Sequence, residues 1–150
     1  MTSRTLGILA CFSLMIGLAS DLNGQERRYI NASLATDSAG RPFSGGVLIG
    51  NTLYLSGTIG LESGGRVPAT ADAEARLVLD NVKGTLEAAG MTMDDLVSVQ
   101  VFCSDVAHYD AFNAVYRTYF TREFPARAFL GSGTLLYGAR FEVQAIAVRR

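Results

Sequence analysis

The chain is poor in the residues from which the commonest catalytic and metal centres are built. Its one histidine is His108, so neither a multi-histidine zinc site nor a Cys₂His₂ finger can be assembled within one chain. Its one lysine, Lys83, lies in a helical pattern with Asp80 and Glu87 nearby, the setting of a solvated side chain rather than of a Schiff-base nucleophile. There are two cysteines, Cys11 and Cys103. If Cys11 leaves with an N-terminal leader, Cys103 has no intrachain partner and the mature protein folds without a disulfide. Charge is also scarce, at 18% of residues, and nearly balanced, with 13 basic and 14 acidic side chains. No field able to hold a polyanion results, which argues against nucleic acid as a partner. The G-x-S-x-G elbow, the G-x-x-x-x-G-K-[ST] phosphate loop and the G-x-G-x-x-G fingerprint are all missing, and with them go the reaction classes they serve.

What is present is apolar material, 49% of 150 residues, enough for the core of a single folded domain and too much for disorder. The first residues read as a secretory signal peptide over 1–19: Arg4, an apolar run over 6–18, and the small residues Gly17 and Ala19 ahead of a polar stretch. The run is short for the ~20 residues of a membrane-spanning helix. The expectation is cleavage near Ala19–Ser20, a periplasmic or secreted destination and no membrane attachment afterwards. Residues 20–41 then form an N-terminal segment, partly strand, and 42–150 one domain.

Two apolar runs around Gly50-Asn51 predict a hairpin. From Thr70 to Ala89 the spacing of Ala75, Leu79, Val82 and Leu86 predicts a helix, with Asp72 and Glu74 favouring its start and Gly90 its left-handed cap. Val97, Val99, Val101 and Cys103 alternate with Ser98, Gln100 and Phe102, the period of a strand. Ser104-Asp105 offers caps for a second helix with the apolar face Phe112, Val115, Tyr116, Tyr119 and Phe120, stopped by Pro125. Two strands close the chain, over about 126–130 and 139–148. Joined as a simple hairpin, they would put Arg127 nearer Ala145 than Glu142. The fold class is therefore α+β, in the order β-β-β-α-β-α-β-β, with two helices on one face of a single mixed sheet. Phe141, Val143, Ala145 and Ala147 share one face of the last strand and Glu142, Gln144, Ile146 and Val148 the other. Both faces carry apolar side chains and the chain has helices for one only, so another subunit is expected over the second.

Ser56 and Ser132 could act as nucleophiles only with His108 as base, and a tyrosine-flanked histidine at a helix start has the pattern of a packing residue. Cys103, alternating with core valines, reads as a small buried hydrophobe. Two charges stand out: Arg127, in the apolar run after Pro125, and Glu142, between Phe141 and Val143. The plain alternative for each is a structural ion pair or a rim position. The functional one uses their chemistry, since a guanidinium fork matches a carboxylate and a strand-held carboxylate can take a proton from water. The pair suits a small carboxylate-bearing electrophile attacked by water, with no metal and no organic cofactor.

Five segments in order, Leu53-Tyr-Leu-Ser-Gly57, Asn81-x₄-Leu86-x-x-Ala-Gly90, Asp110-x-x-Asn113-x-x-Tyr116-x-x-Tyr-Phe120, Pro125-Ala-Arg127 and Phe141-Glu142-Val-Gln-Ala-Ile-Ala147, resemble the RidA (YjgF/YER057c/UK114) family. The resemblance implies a homotrimer of chorismate-mutase-like subunits with clefts between them, hydrolysing enamines and imines such as 2-aminoacrylate and 2-iminopropanoate to 2-keto acids and ammonia. It implies that Arg127 clamps the substrate carboxylate, that Glu142 positions the attacking water and that Gly57 lines the cleft. Ser56, Phe43, Phe129 and Asn113 complete the binding set that it implies. Phe43 stands where the family commonly has tyrosine, Thr58 where it has glutamine, and Phe129 where it has cysteine. A cleft that keeps Arg127 but lacks a hydroxyl at Phe43 also allows a second reading, a protein that binds a small carboxylate or a partner without turnover.

Overall fold

Strands β1 (Arg27–Ile30), β2 (Gly46–Ile49) and β3 (Thr52–Ile59) form an antiparallel meander. Its tight reversal rests on Gly50, whose φ of 56° gives the left-handed conformation that a two-residue hairpin demands. The computed structural model describes residues 25–31 and 40–150; the expected signal peptide lies outside them. Helix α1 (Ala71–Ala88) follows. The Thr70 hydroxyl caps its start by accepting from Ala73 N at 3.4 Å, and Gly90, at a φ of 75°, lets the chain leave its end. Its buried stripe includes Ala75, Val78, Leu79, Val82 and Leu86, the helical spacing seen in the sequence.

β4 (Leu96–Cys103), α2 (Tyr109–Tyr116), β5 (Ala126–Gly131) and β6 (Phe141–Val148) complete the chain. The six-stranded sheet runs β1-β2-β3-β6-β4-β5, antiparallel everywhere except between β4 and β5. The sheet is mixed and the element order is as expected. The last two strands are not a hairpin, however: β4 lies between them. A strand that returns through a helix can lie parallel to the strand it left, and β4-α2-β5 is such a unit.

Two further expectations are corrected. Val97 does not share a face with Val99. The register passes from Leu96↔Ala147 to Ser98↔Ile146, so Val97 is the extra residue of a bulge and is 45% exposed. Helix α2 is also shorter than its apolar pattern. Asp105 caps a 3-10 turn (Val106–His108) that leads into α2, accepting from Ala107 N at 2.9 Å. A second 3-10 turn (Arg117–Tyr119) ends it, and the Asp94 carboxylate takes the Thr121 N–H and hydroxyl, drawing the chain away well before Pro125.

Leu53, Leu55, Val99, Val101, Phe141, Val143 and Ala145 form the sheet's contribution to one core with Leu79, Val82, Leu86 and Phe112 of the helices. Across the other face runs a row set by register, Tyr29, Val47, Tyr54, Ile146 and Ser98. Tyr29 and Tyr54 are about half exposed there.

Candidate active site

Alternation along β6 turns Glu142 to the face opposite Val143, beside Ile59 of β3 and Phe102 of β4. Its carboxylate lies over Gly57, where a Cβ would come within 3.1 Å of the Glu142 carboxyl carbon and closer still to one oxygen. Any side chain at this position would displace the carboxylate. Gly57 also sits in the irregular stretch between Leu55↔Ala145 and Thr58↔Val143, so the bulge and the missing side chain together open the space that Glu142 fills. Ser56 donates its hydroxyl to Ser44 O at 2.7 Å and its N–H to Gly45 O at 3.0 Å. These bonds hold the segment carrying Phe43, which is 46% exposed with the Arg41 guanidinium 5.6 Å from its ring.

Arg127 lies elsewhere. On β5 it is in register with Val99 and, beyond it, Ala145, which places it on the helix-covered face at the sheet edge. Its guanidinium stacks 4.6 Å from the Tyr116 ring centre and 5.9 Å from that of Tyr109. Phe129, two residues on, turns the same way and packs edge-on against Tyr109 and Phe112. A cavity of about 190 Å³ opens beside Arg127, lined by Asn113, Tyr116, Arg117, Phe124 and Pro125. The Tyr116 hydroxyl is buried without a hydrogen-bond partner among the described residues, and burial pushes its phenol up to about 12, against the pull of Arg127.

The candidates thus fall into two groups: Glu142, Gly57, Ser56 and Phe43 around the open face, and Arg127, Phe129 and Asn113 around α2 and the edge strand. Among the described residues neither Arg127 nor Glu142 is in an ion pair, which removes that half of the plain alternative and leaves the rim position. The one buried ion pair among the described residues joins Glu74 and Arg140. Glu74 is fully buried and accepts from Arg140 N at 2.5 Å, Phe141 N at 3.0 Å and Arg140 Nη1 at 2.8 Å. It fixes the first residues of β6 just ahead of Glu142. In the sequence Glu74 reads as a helix-start acid, and nothing local announces its partner.

The rival nucleophiles are engaged otherwise. Ser132 donates to Cys103 O at 3.2 Å, and His108 packs edge-on against Phe141. Cys103 is buried and unpaired with its Sγ on Asp105 O, and burial pushes the thiol up. Lys83 reaches Glu87 at 3.8 Å on the exposed side of α1. Among the described residues no cluster of histidine, cysteine or carboxylate side chains could hold a metal ion.

Residues 34–149 match the family model described as Endoribonuclease L-PSP. The chain is 38% identical over 125 residues to the 2-iminobutanoate/2-iminopropanoate deaminase of Capra hircus, covering 82% of this chain and 90% of that protein. It is 38% identical over 128 residues to the enzyme of the same name from Escherichia coli K12, covering 81% and 100%. Among solved structures, the YjgF gene product of E. coli superposes with a TM-score of 0.69 at 40% identity, covering 80% of this chain and 94% of that one. E. coli TdcF with bound serine gives 0.70 at 32%, covering 73% and 90%.

Proposed function

This chain belongs to the Endoribonuclease L-PSP family, the RidA family that its five segments resemble, and from that premise we propose that it is a 2-iminobutanoate/2-iminopropanoate deaminase-like hydrolase. The observation that carries the reading is Arg127, a half-buried guanidinium held against aromatic rings at the edge of a cavity with no acid beside it. A charge kept in that state lacks one partner, and the α-carboxylate of a small imino acid supplies it bidentately.

Water then adds to the imine carbon while Glu142 accepts one of its protons. The resulting carbinolamine expels ammonia after proton return to nitrogen, leaving the 2-keto acid. An imine is electrophilic enough that positioning and modest base help suffice. Because Arg127 and Glu142 face opposite sides of their own sheet, one chain does not close the site. In a homotrimer the Arg127 edge of one subunit meets the open face of the next, covering Tyr54 and Val97 and bringing Glu142 and Gly57 across. The cleft so formed is the site we propose. Export after cleavage near Ala19–Ser20 belongs to the same proposal, and N-terminal sequencing of protein from the native host tests it.

The decisive experiment measures keto acid release from enzymatically generated imines in steady state. Wild-type protein should accelerate it, and Glu142→Gln, folded and of unchanged mass by light scattering, should lower kcat by about 10²- to 10⁴-fold while still binding pyruvate. Saturable binding without rate enhancement would replace the enzyme with a small-carboxylate binder. A monomer at micromolar concentration would break the shared cleft.

A further inference from the structure

The cavity beside Arg127 carries two positive charges and no negative one. Its lining is Asn113, Tyr116, Arg117, Phe124, Pro125 and Arg127. Among the described residues neither arginine lies within 4.0 Å of a carboxylate. Both guanidiniums are propped on aromatic faces instead, Arg127 on Tyr116 at 4.6 Å and Arg117 on Phe124 at 6.0 Å. Tyr116 and Arg117 are sequence neighbours where α2 gives way to the 3-10 turn. The change of helix that ends α2 thus falls where both arginines line one cavity. Arg127 is half-buried and Arg117 exposed, and an α-carboxylate on Arg127 neutralises only one of the two charges.

We infer that the site prefers substrates with a second carboxylate: 2-imino acids bearing an acidic side chain of one or two methylenes, and the dicarboxylic 2-keto acids they yield. Arg127 takes the α-carboxylate and Arg117 the distal one, with Tyr116 and Phe124 as the apolar walls between them. The cavity, about 190 Å³ and open to solvent, has room for a four- or five-carbon diacid. The two carboxylates of one small molecule match two separate cationic points, whereas an aliphatic or aromatic side chain would leave Arg117 facing an apolar group. The identity of the reaction rests on the deaminase reading; the charge of the ligand does not.

The test has a binding arm and a kinetic arm, both on the assembled protein. In calorimetric titrations, oxaloacetate and 2-oxoglutarate should bind about tenfold tighter than pyruvate and 2-oxobutanoate at low salt, an advantage of about 1.4 kcal/mol that shrinks as salt is raised. Arg117→Ala should reduce that ratio to about threefold or less, and Arg117→Glu should invert it. In turnover, imines generated from aspartate and alanine should show the same change in the ratio of their kcat/KM values, carried by KM, because Arg117 binds ground and transition state alike. Equal affinity of wild-type protein for mono- and dicarboxylic keto acids overturns the inference, as does a ratio that Arg117→Ala leaves unchanged. Arg117-dependent diacid binding without hydrolysis of any imine would refute the deaminase reading and leave this one standing.

Discussion

Arg140 and Arg127 are both half-buried arginines near the ends of neighbouring segments, and the protein uses them in opposite ways. Arg140 commits its fork inside the molecule, to Glu74 Oε2 at 2.8 Å, Pro68 O at 2.9 Å and Ala69 O at 3.3 Å. Arg127 has no such acceptor among the described residues and leans on the Tyr116 ring. A guanidinium whose donors are committed within the molecule holds a fold in place, while one propped on rings keeps its donors for something that arrives. The two corners also cooperate. The Glu74–Arg140 pair anchors the residues just ahead of Glu142, so the proposed base sits next to a fixed point of the fold.

Removing Arg140 should produce the largest change in stability. Arg140→Ala leaves the fully buried Glu74 with two backbone N–H groups and no counter-charge, and should cost about 3–5 kcal/mol in denaturant titrations. A loss under about 1 kcal/mol would mean that the backbone donors alone satisfy the carboxylate. Arg127→Ala should reverse the pattern. Stability should stay within about 1 kcal/mol of wild type, while keto acid affinity and kcat/KM fall together by about 2–5 kcal/mol if the site is desolvated in the assembly. Arg127→Lys should restore little, since an ammonium lacks the fork. If Arg127→Ala instead unfolds the protein, the contrast between the two arginines collapses.

Gly57→Ala comes next. The new methyl would run into the Glu142 carboxyl group, so either the side chain swings away or the strands part. The atoms in the way belong to the end of one flexible side chain, so the stability cost should stay near the low end of overpacking, about 1 kcal/mol. Turnover should fall further than stability alone explains, because Glu142 is displaced from the position it holds over Gly57. A Gly57→Ala variant with wild-type kcat would show that Glu142 needs no fixed position.

Local signals made much of this fold legible. Thr70 and Gly90 bracket α1 in sequence as they do in space, the Gly50-Asn51 turn falls where expected, and the period of two in β6 assigns its faces correctly. The misses are non-local. Nothing near Ala126 or Phe141 says that β4 will lie between β5 and β6, because that order depends on where α2 packs. Val97 continues an unbroken alternation, and only the partner strand reveals the bulge. Glu74 obeys the rule for acids at helix starts while serving a bond across the fold. For the site, Arg127 and Glu142 stand out as charges in apolar runs, but their placement on opposite faces follows from the strand order. Arg117 gives no such signal, since a lone arginine in the amphipathic pattern after Tyr116 looks like its solvated side.

The smallest expected effect concerns the ring beneath Arg127. The Tyr116 hydroxyl is buried and unpartnered among the described residues, so Tyr116→Phe keeps the stacking surface and removes a polar atom that the fold leaves unsatisfied. Stability near neutral pH should change by less than about 1 kcal/mol and should rise rather than fall. The sharper signature is at high pH. A phenol in the unfolded chain ionises near 10, whereas burial holds Tyr116 protonated up to about 12. The stabilisation tied to the neutral phenol is therefore complete below about pH 10 and is lost as pH rises from there through about 12, because only the unfolded chain can release that proton readily. Tyr116→Phe should flatten this part of the fall in stability. A Tyr116→Phe variant whose stability falls as steeply as wild type between about pH 10 and 12 would place the alkaline sensitivity on other groups, and would mean that the hydroxyl finds a partner in the assembled protein.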